Sequence, residues 1–529
     1  ASMAAAVTRV VRSESGPARS ASGSASGSSP RCDVPAVIGG RTVDTAEGIV
    51  SVDPARPSVV VATSASCGAA EADEAVASCL AAWNGWRSTP VAARAAVLFG
   101  AAEWMRARRP DLAALEVFEA GKPWAEADGD VCEAIDFLEY YGRQMPMLEA
   151  GAGAAPGRSG VLSPPGEVNT LHYQPRGVAA VIAPWNFPLA IATGMVSAAL
   201  VAGNAVCFKP AEQTPAIGAT LVDALTAAGL PPGVLAFLPG RGEDVGARLV
   251  AHPDVALIAF TGSKAVGLAI NEMAARVVPG QRHVKRVIAE MGGKNTLIVD
   301  TDADLDQAVP IILGSAFGFS GQKCSALSRL IVVGNGHDEL VSRLVGAAAL
   351  LRIGQPASMG TDIGPLIDAE AHAKVSGYLP VARAEGTVVL ERHDVPDDGW
   401  FVGPTIVTDV ARRGRLATEE IFGPVLSVFR AGDLDEALAL ANDTDYALTA
   451  GVLSRSPATI RRASAELRAG NVYVNRGITG AVVGRQPFGG LGLSGVGSKA
   501  GGPDYMLSFL EPRVVSENTL RQGFAATSE

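Results

Sequence analysis

From residue 177 to residue 208 the chain carries no charged side chain. A stretch of that length passes the size test for a membrane span, which needs about 20 apolar residues. Its content points elsewhere. Gly177 to Ala183 is a short apolar run with β-branched members, Pro184-Trp185-Asn186-Phe187-Pro188 interrupts it, and Leu189 to Val201 reads as a helix. A strand, a sharp turn and a helix without charge suit the buried centre of an α/β sheet. No membrane partner is expected.

The sequence around this run repeats the pattern. Apolar strands are predicted at 178–183, 205–208, 234–238 and 257–260, separated by helices. Thr214-Pro215 opens one helix as N-cap and first residue, and Gly229 closes it. A second series follows residue 290, with strands at 296–299, 330–333 and 425–429. Its helices are expected near 304–316, 338–350, 369–384 and 434–442, with another from Ser456-Pro457 to Gly470. Such alternation predicts two doubly wound α/β units, with ligands at the carboxyl ends of the strands. Upstream, the chain becomes globular from about Ile38. Amphipathic helices are expected over Glu71–Trp86, Val91–Arg108 and Glu126–Gln144. Residues 151–168 are Gly/Pro-rich and read as an exposed excursion.

Composition narrows the partners. The chain has 44 basic and 54 acidic residues, so nucleic acid is an unfavourable partner. Six cysteines show no CxxC pair and no metal-ligand spacing, so no metal is expected. Residues 1–31 are rich in Ser, Ala and Gly and too polar to fold alone. Ala1-Ser2-Met3 reads as a tag remnant. The rest reads as a disordered tail of a cytoplasmic bacterial enzyme, with a mitochondrial transit peptide as the alternative.

A few residues carry possible chemistry, each with a plain alternative. Cys324 lies among small residues, which leaves its sulfur approachable, and Lys323 beside it can favour thiolate; an inert core thiol is the alternative. Glu290 ends an apolar strand and can act as a base, or be a solvated carboxylate. Asn186, between prolines, can donate to an oxyanion or simply make the turn. Gly262 and Ser263 open a helix that can face a phosphate, or only punctuate strand and helix. Lys209 and Glu212 can bracket a ribose, or be surface charge.

The strings APWNFP (183–188), KPAE (209–212), FTGS (260–263), EMGGK (290–294), GQKCSA (321–326), EEIFGPVLSV (419–428) and QPFGG (486–490) strongly resemble, in that order, the aldehyde dehydrogenase superfamily. The resemblance covers residues 36 to 515. GQKCSA, the stretch 475–481 before QPFGG and Lys499-Ala500-Gly501-Gly502-Pro503 after it resemble, more narrowly, the L-glutamate γ-semialdehyde (1-pyrroline-5-carboxylate) dehydrogenases.

The resemblance implies an aldehyde dehydrogenase-like fold with a small β flap. Residues 36–155 and 174–289 would form an NAD-binding domain and 290–480 a catalytic domain. Residues 156–173 and 506–522 would form an oligomerisation flap and tail, and 1–35 a disordered or tag/targeting tail. It implies Cys324 as nucleophile, Asn186 as oxyanion donor and Glu290 as the base that hydrolyses a thioester. NAD would be held by Lys209, Glu212, Gly262, Ser263, Trp185, Glu420 and Phe422. Ser325, Gly480 and Ala481 would bind a substrate carboxylate, with Phe187, Phe319 and Phe488 walling the chain. The substrate would be a small molecule and the assembly a homodimer or larger. The alternatives are another semialdehyde or an alkyl aldehyde as substrate, or a non-catalytic structural protein on the same fold.

Overall fold

The computed structural model describes residues 32–152 and 161–520. The expectations for residues 1–31 and for residues 153–160 of the excursion lie outside the described residues, as do residues 521–529. Among the described residues, no helix is long and apolar enough to cross a membrane. The uncharged run folds as the strand Val178–Ile182, a turn and the helix Ala190–Val201, almost all of it buried.

An eight-stranded sheet is built around that strand. Its order is Gly495–Val496, Arg286–Glu290, Val255–Thr261, Val178–Ile182, Ala205–Lys209, Leu235–Phe237, Ala36–Ile38 and Arg41–Val43. The middle five pair in parallel, and the outer strands on both sides are antiparallel. Within the parallel part the chain starts with Val178–Ile182, winds outward to Leu235–Phe237, then returns to build the other side. The winding therefore reverses between Val178–Ile182 and Val255–Thr261. A crevice opens at the carboxyl ends of two such strands, because their following loops diverge.

After Glu290 the chain crosses to a seven-stranded sheet. Its order is Thr387–Glu391, Thr405–Thr408, Val425–Ala431, Leu327–Val333, Asn295–Val299, Thr449–Leu453 and Asn471–Val474. All pairs are parallel except the outermost, Thr387–Glu391 with Thr405–Thr408. A separate two-stranded sheet pairs Glu167–Pro175 with Leu510–Asn518, from Leu510 opposite Pro175 to Asn518 opposite Glu167.

Several sequence expectations need correction. Order begins before Ile38: Cys32–Val34, Gly48–Asp53 and Arg56–Ala65 form a three-stranded sheet. These strands are short or part-exposed, so they lack the apolar run of a buried strand. The helix starting at Val91 continues to Glu119, through Pro110. The helix after Ser456 ends at Glu466, short of Gly470. At Thr214-Pro215 the helix begins where expected, with Pro215 as its first residue. The Thr214 side chain does not cap it. Instead Glu119, from a distant helix, accepts from Ala216 N and Ile217 N at 2.8 Å each.

Burial pushes Glu119 up to about 7, against the pull of those two N–H groups. Glu290 and Glu133 are also raised by burial, each to about 8. Acids raised on folding bind protons more tightly in the native state. Their contribution to stability is complete below the ordinary value of 4.5 and is lost as pH rises through about 7 to 8. Urea unfolding between pH 5 and 8 should show this decline. Glu119→Gln, which leaves an N–H poorly paired, should cost about 1–3 kcal/mol at pH 8 and flatten the slope. An unchanged slope would refute the assignment to Glu119.

Candidate active site

The loop before Cys324 is held in an unfavourable shape. Phe319, Ser320 and Gly321 have φ of 50°, 55° and 71°. Two consecutive non-glycine residues with positive φ are costly and persist only where their surroundings fix them. Ser320 Oγ donates to Gly364 O at 2.7 Å, and the Gln322 side chain bonds Pro365 O and Ile367 N. A Cβ on Gly321 would strike the carbonyl of Gly423. On the other side, Asn295 Nδ2 donates to Cys324 O at 2.7 Å and Ala326 O at 2.9 Å. Asn295 was absent from the sequence expectations. Its only signal was a buried amide at the start of a strand.

Burial pushes the Cys324 thiol up to about 12, and the carboxylates of Glu420 and Glu290 add to the rise. The expected help from Lys323 does not materialise. Its Nζ is bound to Glu126 at 2.6 Å. Glu290 accepts from Gly490 N at 3.1 Å. Asn186 is buried, and its Nδ2 donates to Gln322 O at 3.0 Å. An amide nitrogen has two hydrogens, so a second donor remains on that atom.

Two cavities meet at Cys324. The larger, of about 320 Å³, lies in the crevice at the reversal of winding. Trp185, Asn186, Gly262, Ser263, Glu420 and Phe422 line it together, with Cys324 at its inner end. Trp185 and Phe422 meet edge to face with ring centroids 5.5 Å apart. Glu420 accepts from Gly293 N at 2.8 Å. Ser263 Oγ caps its own helix by accepting from Val266 N at 3.3 Å. Gln213 Nε2 bridges to Asp368 Oδ2 at 3.0 Å, which ties the two halves across the crevice. Lys209 and Glu212 do not line this cavity. They pair with each other at 2.7 Å just beyond Gln213, and Glu212 also accepts from Gly242 N at 2.7 Å.

The smaller cavity, of about 100 Å³, lies on the other side of Cys324. Ser325, Gly480, Ala481, Phe187, Phe488 and Glu290 all line it. Phe319 does not. It is fully buried, with the Lys122 ammonium 5.3 Å from its ring centroid. Phe137, Tyr505 and Glu133 also line the cavity and were not anticipated from sequence. Glu133 lies within an ordinary amphipathic helix, where nothing local marks an acid as functional.

The sequence matches the aldehyde dehydrogenase family over residues 42–515. The chain belongs to that family. Among its members, the 1-pyrroline-5-carboxylate dehydrogenase of Bacillus cytotoxicus is 47% identical over 485 residues, covering 92% of this chain and 93% of that protein. The enzyme of the same name from Geobacillus kaustophilus shows the same identity and coverage. The solved 1-pyrroline-5-carboxylate dehydrogenase from Thermus with bound NAD is 44% identical, with a TM-score of 0.92 over 98% of this chain and 96% of that one. Proline utilization A from Bdellovibrio bacteriovorus is 46% identical with a TM-score of 0.93, and this chain spans about half its length, 52%.

For this aldehyde dehydrogenase, the electrostatics of Cys324 are open to direct test. Glu290→Gln removes a like charge that raises the thiol. The pH profile of Cys324 alkylation by iodoacetamide should move to lower pH in that variant. An unmoved profile would show that the thiol does not feel the Glu290 carboxylate.

Proposed function

We propose that this enzyme oxidises L-glutamate γ-semialdehyde, the open form of 1-pyrroline-5-carboxylate, to L-glutamate with NAD in proline catabolism. The names of relatives that span nearly the whole chain support the reaction. The observation that carries the reading is the meeting of two unlike cavities at one sulfur.

Cys324 Sγ gives its proton to solvent and attacks the aldehyde carbon as thiolate, and the carbonyl oxygen becomes an oxyanion. Asn186 Nδ2 and the Cys324 N–H hold that oxygen, each donor contributing about 3 kcal/mol. Trp185, Gly262, Ser263, Glu420 and Phe422 would hold NAD in the larger cavity, where it would supply the hydride acceptor as the carbon on Cys324 is oxidised to a thioester. Glu290 takes a proton from water, which attacks the thioester and releases glutamate. An acid raised to about 8 exchanges protons readily near neutral pH.

The larger cavity fits a dinucleotide. The N-terminus of the 12-residue helix Lys264–Ala275 begins at its wall. Glycines at 262 and 292 keep it open, since a Cβ on either would strike Phe260 or Glu420. In the smaller cavity, Ser325 and the N–H groups of Gly480 and Ala481 receive the substrate carboxylate. Gly480 O turns toward Arg476 Nη2 at 3.4 Å, away from that role. Glu133 faces the same space and suits the substrate ammonium. A cytoplasmic location belongs to this reading, given the bacterial relatives. The sheet of Glu167–Pro175 and Leu510–Asn518 exposes Val514 and Val515 and has open edges, which favours a dimer or larger assembly.

Comparing glutamate γ-semialdehyde, succinate semialdehyde and propionaldehyde tests the substrate. The first should be preferred. Ser325→Ala should lower its kcat/KM about tenfold to a hundredfold, as one charge-assisted hydrogen bond of roughly 1.5–3 kcal/mol implies, with little effect on propionaldehyde. Preference for the alkyl aldehyde would overturn the assignment. Equal losses on all three would reduce Ser325 to a scaffold residue.

Cofactor choice rests on Glu212, whose carboxylate accepts from a ribose 2′-hydroxyl and repels a 2′-phosphate. NAD should outperform NADP in initial rates, and Glu212→Ala should narrow the gap. Equal use of both by the unaltered enzyme would count against this placement.

A further inference from the structure

The turn that carries Asn186 is gripped from beneath by a buried cation. Lys122 stands between the helices Val91–Glu119 and Trp124–Ala152, and it is 0% exposed. Its Nζ donates to the main-chain oxygen of Asn186 at 3.1 Å and to the Asp130 carboxylate, with Glu116 Oε2 at 3.4 Å. The same ammonium lies 4.3 Å from the ring centroid of Phe187. The other Asp130 oxygen accepts from Ala190 N at 2.7 Å, at the start of the helix that follows the turn.

These contacts hold the turn at two points. Asn186 and Phe187 are adjacent, yet Asn186 lines the larger cavity and Phe187 the smaller. One ammonium touches both residues. Stability alone does not require it, because a buried ion pair can often be replaced by apolar groups of similar volume without loss. What an apolar side chain could not supply is a directed bond to Asn186 O.

We propose that Lys122, anchored by Asp130, is a positioning residue that sets Asn186 and Phe187 against Cys324 from the two cavities. This rests on the reading of Asn186 as the oxyanion donor. A misplacement of about 1 Å can cost on the order of a hundredfold in rate, so the pair acts on catalysis without touching substrate.

The test is a double-variant cycle on the full-length enzyme with glutamate γ-semialdehyde and NAD. Lys122→Met removes the ammonium at similar length. Asp130→Asn, which keeps an oxygen for Ala190 N, serves if the first variant fails to fold. Each folded variant should lose about tenfold to a hundredfold in kcat, with NAD affinity by fluorescence titration unchanged. Combined with Asn186→Ala, neither should lower kcat below the level of Asn186→Ala alone, because the lysine acts on the oxyanion step through Asn186 while Phe187, a wall of the smaller cavity, bears on KM. Full kcat in a folded variant, or losses that multiply in the combined variant, would overturn the proposal. Full kcat in Asn186→Ala itself would overturn the reading of Asn186 as well, which separates the two failures.

Discussion

Four residues, Met291 to Lys294, join the two sheets, and the arrangement of the site depends on that short crossing. On one side, Glu290 ends its strand opposite Thr261, and Gly262 N donates to Glu290 O at 3.0 Å. On the other, Asn295 begins the next sheet and holds the carbonyl of Cys324. Glu290, the start of the larger cavity and Cys324 are thus fixed to one another through a few short-range hydrogen bonds. Gly292 and Gly293 make the crossing possible. A side chain at the first would strike Glu420, and at the second would press on Cys324 O at 2.7 Å and on Asn295. Either would separate the two halves of the site.

Half-buried acids gather at the site. Glu290, Glu133 and Glu420 are all raised by desolvation, and the Cys324 proton is kept in place first by desolvation of the thiol and then by the neighbouring carboxylates of Glu420 and Glu290. A thiol held neutral is protected from chance alkylation or oxidation, since the thiolate is the reactive form. Activation then requires a proton acceptor nearby rather than a standing cation. The only adjacent lysine in sequence, Lys323, is committed to Glu126. The buried cation at the site, Lys122, sits far away in sequence and donates to the main-chain oxygen of Asn186.

Backbone strain and side-chain locks go together in the loop before Cys324. Phe319 and Ser320 accept positive φ because Ser320, Gln322 and Asn295 fix the loop from both ends. Phe319 in that loop is fully buried and does not line the smaller cavity. Its place on the wall is taken by Phe137 and Tyr505, from segments with no motif of their own.

The sequence alone determined the alternation of strands and helices, because an uncharged run broken by prolines has few ways to bury itself. It also singled out Cys324, Glu290 and Asn186, which the fold brings to the walls of the two cavities. Tertiary structure decided what surrounds them. Lys323 is withdrawn by Glu126, nearly 200 residues away (197), and the helix at Pro215 is capped by Glu119 rather than Thr214. Glu133 and Asn295 became site residues only when distant segments packed together. Periodicity and turn chemistry are local properties that a sequence displays. Burial, hydrogen-bond partners and the field of neighbouring charges depend on contacts between segments far apart in the chain, which only the folded arrangement brings into being.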